Sequence, residues 1–496
     1  MDELPYDWSV DTRVQECYDR FTNLKRKKGS RMEKKPLSNA LKRFFGVGDF
    51  MYNLCISFKT YYWMYFLTTV VALPLAVTSI TNTVINTFDL IMAFAWGAII
   101  DSMKPGKWGR YRTMIMIMAP LIVISHAAQW FAPTLFTFTG NVTLASVATI
   151  LCFGIYIVFF NLAWNANVCL INVCAGSEAE RAKLHSTRNA WISASAIFIG
   201  YIAAWLIGLF SDPVIGYAAA ATLLGVLTIP GYYAHFRMTK GYELERKDYE
   251  KIPESQRKQE VQSVSFLDII RIICSNLQLL WVLLINIGTQ LSMFIFAYMS
   301  VYLFEMTLKA PGLYAFYLTI INFGAVIGSL LSNVLSSKIP IKRLVQGGLL
   351  ASIVALMVVW RAALSGNAML FTGAMVIVQM LVAFVAPLIL TFFTNCAVYS
   401  EWKTGMNCVG TITGMCGVPI KVALLLVGIL VPAILGSAGY VAGQEITDKV
   451  ANALSNAFAL IPAGLYAFSF LVLTFCYKLT RERVDQYAKE IAERNK

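Results

Sequence analysis

Twelve apolar runs, each long enough to cross a bilayer as a helix, constrain this chain more than any other feature. A spanning helix needs about 20 consecutive, mostly apolar residues, because the hydrocarbon core is ~30 Å thick and a helix rises ~1.5 Å per residue. The runs fall at about 45–73, 79–100, 112–132, 144–174, 189–211, 214–236, 275–303, 312–337, 344–364, 368–398, 407–436 and 453–477. They are too long and continuous to be the alternating segments of a closed β-barrel. Composition argues against a soluble fold. Of 496 residues, 57% are hydrophobic and only 14% charged, and mean hydropathy is +0.61. Soluble domains carry about 25% charged residues, and a soluble chain of this length needs far more polar surface to cover its cores.

A net charge of +13 would suggest nucleic acid in a soluble protein. Here the basic residues sit in the tails and in alternate loops. The N-terminal tail holds Lys25 to Lys28, Lys34, Lys35, Lys42 and Arg43; the 2–3 loop holds Lys104, Lys107, Arg110 and Arg112. Arg181, Lys183 and Arg188 mark the 4–5 junction, and Lys338, Lys342 and Arg343 the 8–9 loop. The odd-numbered loops are nearly free of Lys and Arg, so the tails and even loops are expected to face the cytoplasm of a multi-pass cell-membrane protein. Both ends on one side requires an even helix count, as twelve is. The polar stretch from Arg237 to Gln262 lacks a spanning run and lies near the midpoint. The expected organisation is therefore a basic tail (1–43), a six-helix bundle (44–236), a cytoplasmic linker (237–270), a second six-helix bundle (271–478) and a short tail (479–496). Two six-helix halves around a central loop form the pattern of the all-α major facilitator architecture.

The ten cysteines form no CxxC pair and lie mostly in apolar runs, where they act as small apolar groups. The three histidines form no metal-binding motif, no Walker A motif is present, and no cofactor is expected. The polar N-terminal stretch gives no sign of a cleavable signal peptide.

Ionisable and amide groups inside a membrane span are costly, so each is a candidate for function; the alternative is a structural helix–helix hydrogen bond or a snorkelling side chain. On helix 2, Asn82, Asn86 and Asp89 share a face, with Asp89 about midway. A carboxylate there needs a cation, a proton or a set of donors. On helix 1, Asp49, Asn53, Ser57 and Thr60 share a face, and Lys59 stands roughly 80–120° off it at ~100° per residue. Lys59 either snorkels or pairs with Asp89. Helix 4 carries Asn161, Trp164, Asn165, Asn167 and Asn172. Amides that donate and accept, beside an indole that stacks, suit a hydroxyl-rich solute. Arg188 opens helix 5, Lys421 lies well inside helix 11 after Pro419, and Asn286, Thr289 and Gln290 form a weaker cluster on helix 7. Gly410, Gly414 and Gly417 allow close packing or bending at helix 11. In the segment from Gly97 to Arg112, Asp101, Arg110 and Arg112 can gate the cytoplasmic side by pairing with helix ends. Plain positive-inside anchoring is the alternative.

Several blocks, in order over about residues 44–478, resemble the glycoside–pentoside–hexuronide:cation symporters, the major facilitator group that contains melibiose permease. They are GVGDFMYN (Gly46 to Asn53), Phe88-Asp89 followed by Asp101 and KWGRYR (Lys107 to Arg112), SEAERAKLHSTR (Ser177 to Arg188), and YSEWKTG (Tyr399 to Gly405) with Lys421 downstream. The resemblance implies alternating-access symport of a sugar, glycoside or hexuronide with a proton or sodium. It places the coupling carboxylate at Asp89, its supporting lysine at Lys421, and solute contacts at Asn53, near Asn161 and at Arg188. Two departures stand out. Ala93 occupies the position one turn beyond Asp89, where well-coupled members carry a second acid, and an amide replaces the acidic first-helix contact of melibiose permease. Sodium prefers several oxygens, so Lys59 or Lys421 is expected to substitute for the cation, giving a proton-coupled or uncoupled carrier. Lys59, Arg188 and Lys421 together suit an anionic solute.

The substrate-contact set expected is therefore Asn53, Lys59, Asp89, Asn161, Trp164, Asn165, Arg188 and Gln290, with Asp89 and Lys421 coupling. A sugar or uronate and membrane lipid are the expected partners of a monomer, without nucleic acid. An uncoupled carrier for an anionic sugar, a lipid-carrying relative and a receptor or scaffold on a transporter fold remain alternatives. A membrane enzyme would need His or paired acids at one interface, whereas the polar residues here sit at mid-depth.

Overall fold

The computed structural model describes residues 36–93, 105–175, 178–250, 276–336, 338–404, 415–444 and 446–494, with the single positions 96, 99, 103 and 412 between them. Asp101, Gly410, Gly414, the tail before residue 36 and most of the expected linker lie outside the described residues, as does the side chain of Asn172.

The described chain is helical. The long helices are α1 (Val47–Tyr65), α2 (Leu75–Ala93), α3 (Arg110–Phe131), α4 (Val142–Cys174), α5 (Glu178–Gly208), α6 in two pieces (Pro213–Val226 and Thr228–Met238), α7 (Leu277–Tyr302), α8 (Tyr314–Ser336), α9 (Ile341–Leu364), α10 (Ala368–Thr404), α11 (Val418–Ala438) and α12 (Asp448–Leu471). A surface helix, α13 (Arg481–Arg494), follows. Among the described residues, eleven helices are long and apolar enough to cross a membrane. Helix α1 runs beside them and is more polar because it carries Asp49, Asn53 and Lys59. Helices suit this setting because each satisfies its backbone groups internally where no water can. Asn141, Asp212, Asn276 and Thr447 accept backbone N–H groups at the starts of α4, α6, α7 and α12. One boundary differs clearly from the sequence reading. Helix α5 starts at Glu178, not near Arg188. Charged residues concealed this first stretch from an apolar-run criterion.

Helices α1 to α6 pack among themselves, as do α7 to α12; α2 meets α11, α5 meets α8, and α1 meets α7. The two halves repeat a distinctive helix end. Helix α1 passes into a π-turn (Phe66–Val70) and then a left-handed residue, Ala72, at φ 59°. Helix α7 passes into a π-turn (Leu303–Thr307) and then left-handed Lys309, at φ 49°. Even the backbone hydrogen bonds match: Val71 to Phe66 and Leu73 to Leu67 in one half, Leu308 to Leu303 and Ala310 to Phe304 in the other. In this register Asp49 corresponds to Asn286, Asn53 to Gln290 and Tyr65 to Tyr302. Two residues away from ordinary left-handed preference, at equivalent places, mark the halves as copies of one plan.

The start of α1 lies against the end of α6, where Gly48 N–H donates to His235 Nε2, and the end of α12 lies against the start of α7, where Lys478 N–H donates to Gln278 Oε1. These contacts put both termini of the described chain at the same end of the molecule, opposite the π-turns of α1 and α7.

Candidate functional site

The seam between the halves is clearest where α2 and α11 run antiparallel. Nearest the far end, a Cβ on Gly436 would lie 3.6 Å from Leu75. At Gly428 it would lie 3.2 Å from Asn86 Nδ2 and 3.3 Å from Asn82 Cβ, so a side chain there would wedge the helices apart. Asn86 Nδ2 donates to Leu424 O at 3.1 Å. The row ends with Lys421 Nζ on Asp89 Oδ2. Asp89 is buried, and its other oxygen accepts from Asn161 Nδ2 on α4 at 3.0 Å. The Asp89 carboxylate is thus held by one donor from its own half and one cation from the other. Asn82 faces inward, accepting from Trp63 Nε1 at 3.0 Å.

Toward the far end, hydroxyl pairs bridge the halves: Thr68 with Tyr302 at 2.5 Å, and Thr69 with Tyr440 at 2.9 Å. Thr319 donates to Ile197 O at 3.0 Å between α8 and α5. A Cβ on Gly200 would lie 2.5 Å from Ala315 O, which records the same close approach.

Lys59 does not pair with Asp89. Its Nζ lies over three rings of α4, at 5.0 Å from the Phe153 centroid, 5.7 Å from Tyr156 and 6.0 Å from Phe160. The side chain is half-buried and has no ion-pair partner among the described residues.

A second carboxylate, Asp49, is fully buried inside the first half. Arg188 Nε lies 2.9 Å from Asp49 Oδ1, and Asn167 Nδ2 donates to both carboxylate oxygens at 2.9 Å. Asn167 Oδ1 lies 2.9 Å from His235 Nδ1. Because Gly48 N–H donates to His235 Nε2 at 3.1 Å, Nε2 is the acceptor and Nδ1 carries the proton given to Asn167. The chain of contacts joins α1, α4, α5 and α6. The Arg188 guanidinium also stacks 4.2 Å from the Trp164 ring, which lies parallel to Phe160. Arg188 Nη2 is buried without a hydrogen-bond partner.

Asn53 Nδ2 donates to Ser195 Oγ at 2.8 Å, joining α1 to α5, and Asn165 Nδ2 donates to Asn161 O at 2.8 Å. Gln290, the counterpart of Asn53, lines a pocket inside the second half with Asn286, Thr289, Ser352 and Tyr466, a pocket that Asp89, Asn161 and Lys421 do not line. At the terminal end, the Glu243 carboxylate accepts from Tyr111 N–H at 2.8 Å and Arg112 N–H at 3.0 Å, capping α3. Arg112 is buried and donates to Trp108 O and Phe236 O. Burial raises the Glu243 carboxyl above the usual range against these backbone donors. Gly109 has φ 108°, and a Cβ on it would lie 2.5 Å from the Glu243 carboxylate. Of the gating residues expected, Arg110 and Arg112 start α3, while Asp101 is outside the described residues.

Asp89, Asn161 and Lys421 therefore come together, while Lys59 lies over the neighbouring aromatic face of α4. Arg188, Trp164 and Asn53 gather around Asp49 and α5. His235 and Glu243 carry no signal in the sequence. A lone histidine and an acid in a charged stretch acquire meaning only through what they touch.

Residues 44–481 match the family model described as MFS/sugar transport protein. A sulfoquinovose importer of Salmonella typhimurium is 27% identical over 91% of this chain and 92% of its own length. An isoprimeverose transporter of Lactiplantibacillus pentosus is 22% identical over 88% of each chain, and a glucuronide carrier protein homolog of Escherichia coli is 22% identical over 91% of this chain and 95% of its own. Among solved structures, a D-xylose-proton symporter superposes with a TM-score of 0.65 at 14% identity, covering 89% of this chain and 98% of the other. An inward-open xylose transporter from E. coli gives 0.60 at 13% identity, covering 91% and 98%. At these identities the structures establish the shared fold.

Proposed function

The chain belongs to the MFS/sugar transport protein family, and we propose on that premise that it moves a sugar, glycoside or hexuronide across the cytoplasmic membrane by alternating access, in symport with a cation. Membership makes it a transporter rather than an enzyme. The names of its relatives, covering sulfoquinovose, isoprimeverose and glucuronide, motivate the solute class.

The observation that carries the coupling is the division of partners at Asp89. Its amide donor belongs to the first half and its ammonium to the second. In alternating access the halves rock against one another around a central site. A proton or cation arriving at Asp89 weakens its hold on Lys421, so the charge of one carboxylate is linked to the separation of two bodies. With Ala93 one turn away instead of a second acid, a proton suits this site better than sodium, which prefers several oxygens. The polar face of α4, with Asn161, Trp164 and Asn165, suits hydroxyls and the apolar face of a sugar ring. The terminal end of the molecule, rich in Lys and Arg, is assigned to the cytoplasm. The protein is read as a monomer in contact with lipid.

The test is solute uptake into proteoliposomes under separately imposed proton and sodium gradients, with external pH recorded. Solute-driven alkalinisation, lost in Asp89→Asn, is the expected result. Strict sodium dependence would sink the proton assignment, and wild-type coupling in Asp89→Asn would reduce Asp89 to a structural role.

A further inference from the structure

We propose that Lys59 selects for an acidic group on the solute, so that the preferred solute is a monoanionic sugar derivative and not a neutral sugar. The inference rests on the carrier reading above and deepens it. Its basis is charge balance. Asp49 is neutralised inside its own half by Arg188. At the seam Asp89 carries one negative charge, and Lys421 takes it. Lys59, held over the rings of Phe153, Tyr156 and Phe160, is then left with no carboxylate at ion-pair distance among the described residues.

An ammonium in a membrane interior needs a counter-charge, or it loses its proton. The rings of Phe153, Tyr156 and Phe160 hold its position by cation–π attraction but do not neutralise it. The Tyr156 hydroxyl is buried with no hydrogen-bond partner among the described residues, so a donor in the same aromatic group is also unused. Lys59 as a whole residue is only half-buried. A carboxylate or sulfonate on the solute supplies the missing negative charge. Asp89 lies within electrostatic reach of Lys59, but its single charge is shared with the Lys421 ammonium that touches it.

The experiment compares matched pairs on the purified full-length protein: D-glucuronate against D-glucose, and methyl β-D-glucuronide against methyl β-D-glucoside. Dissociation constants are taken from ligand-dependent thermal stabilisation. The wild type is expected to bind the acidic member at least tenfold tighter, which is about 1.4 kcal/mol. Lys59→Gln should bring the ratio of each pair toward one, and Lys59→Arg should keep it. Equal binding of a pair by the wild type, a preference for the neutral member, or an acid preference that survives in Lys59→Gln overturns the inference while leaving the sugar-carrier reading standing. Failure of the wild type to bind any of the four overturns both. Binding of the neutral member is what tells the two failures apart.

Discussion

The two buried carboxylates of the first half, Asp49 and Asp89, have similar chemistry and opposite placement. Every partner found for Asp49 belongs to the same bundle: Arg188 from α5 and Asn167 from α4, the latter anchored by His235 from α6. Asp89 takes Asn161 from its own bundle and Lys421 from the other. A charge neutralised within one rigid body fixes that body's shape. A charge neutralised across two bodies makes their relative position depend on its protonation or on a competing cation. The difference separates a brace from a switch, although both residues would appear in any survey of costly intramembrane acids.

The sharpest way to break this contrast is to remove a cation from each site. Arg188→Met leaves Asp49 buried with an amide alone and should lower stability by about 3–5 kcal/mol, the usual effect of orphaning a buried charge. The check is the thermal unfolding midpoint in detergent, and an unchanged midpoint would contradict the brace. Asp89→Asn should act differently. It should abolish gradient-driven uptake while shifting the midpoint less than Arg188→Met does, since Lys421 is partly exposed. The double variant Asp89→Asn with Lys421→Gln should recover the midpoint but not the coupling. Coupled uptake by the double variant would show that the pair is another brace.

Neutral contacts at the seam offer a finer comparison. Tyr302→Phe removes the hydroxyl that meets Thr68, at a cost of about 1 kcal/mol to closure of the far end. Accessibility of a cysteine introduced beside Thr68 should rise, with the cation dependence of uptake unaltered; a changed cation dependence would blur the distinction between charged and neutral seam contacts.

The smallest effect concerns Glu243, a carboxylate with its partners in one body but outside the spans. Its folded value is raised above the unfolded one, so its contribution to stability is fully present below the ordinary carboxylate range and is lost as pH rises through the raised value. Glu243→Gln should flatten the fall in unfolding midpoint as pH rises above 4.5. A curve identical to wild type would mean that the α3 cap does not titrate with folding.

The apolar runs by themselves determined the all-helical, multi-span class, because a bilayer permits few ways to satisfy a backbone and the length of a run maps directly onto the thickness of lipid. The candidate residues Asp89, Lys421, Asn161, Arg188 and Lys59 were also legible, since a charge or amide in such a run is costly wherever it points. Their partners were not fixed by the apolar runs or by helix phase. The family resemblance named Lys421 as the lysine supporting Asp89, but helix phase alone left Lys59 equally eligible, and only the antiparallel run of α2 against α11, drawn close by Gly428, gives the carboxylate to Lys421 and leaves Lys59 over aromatic rings. The same holds for His235, whose neighbours lie far away along the chain. Cost is a property of one residue in its segment, whereas partnership is a property of distance in three dimensions, and distance between helices is set by packing that no single run encodes.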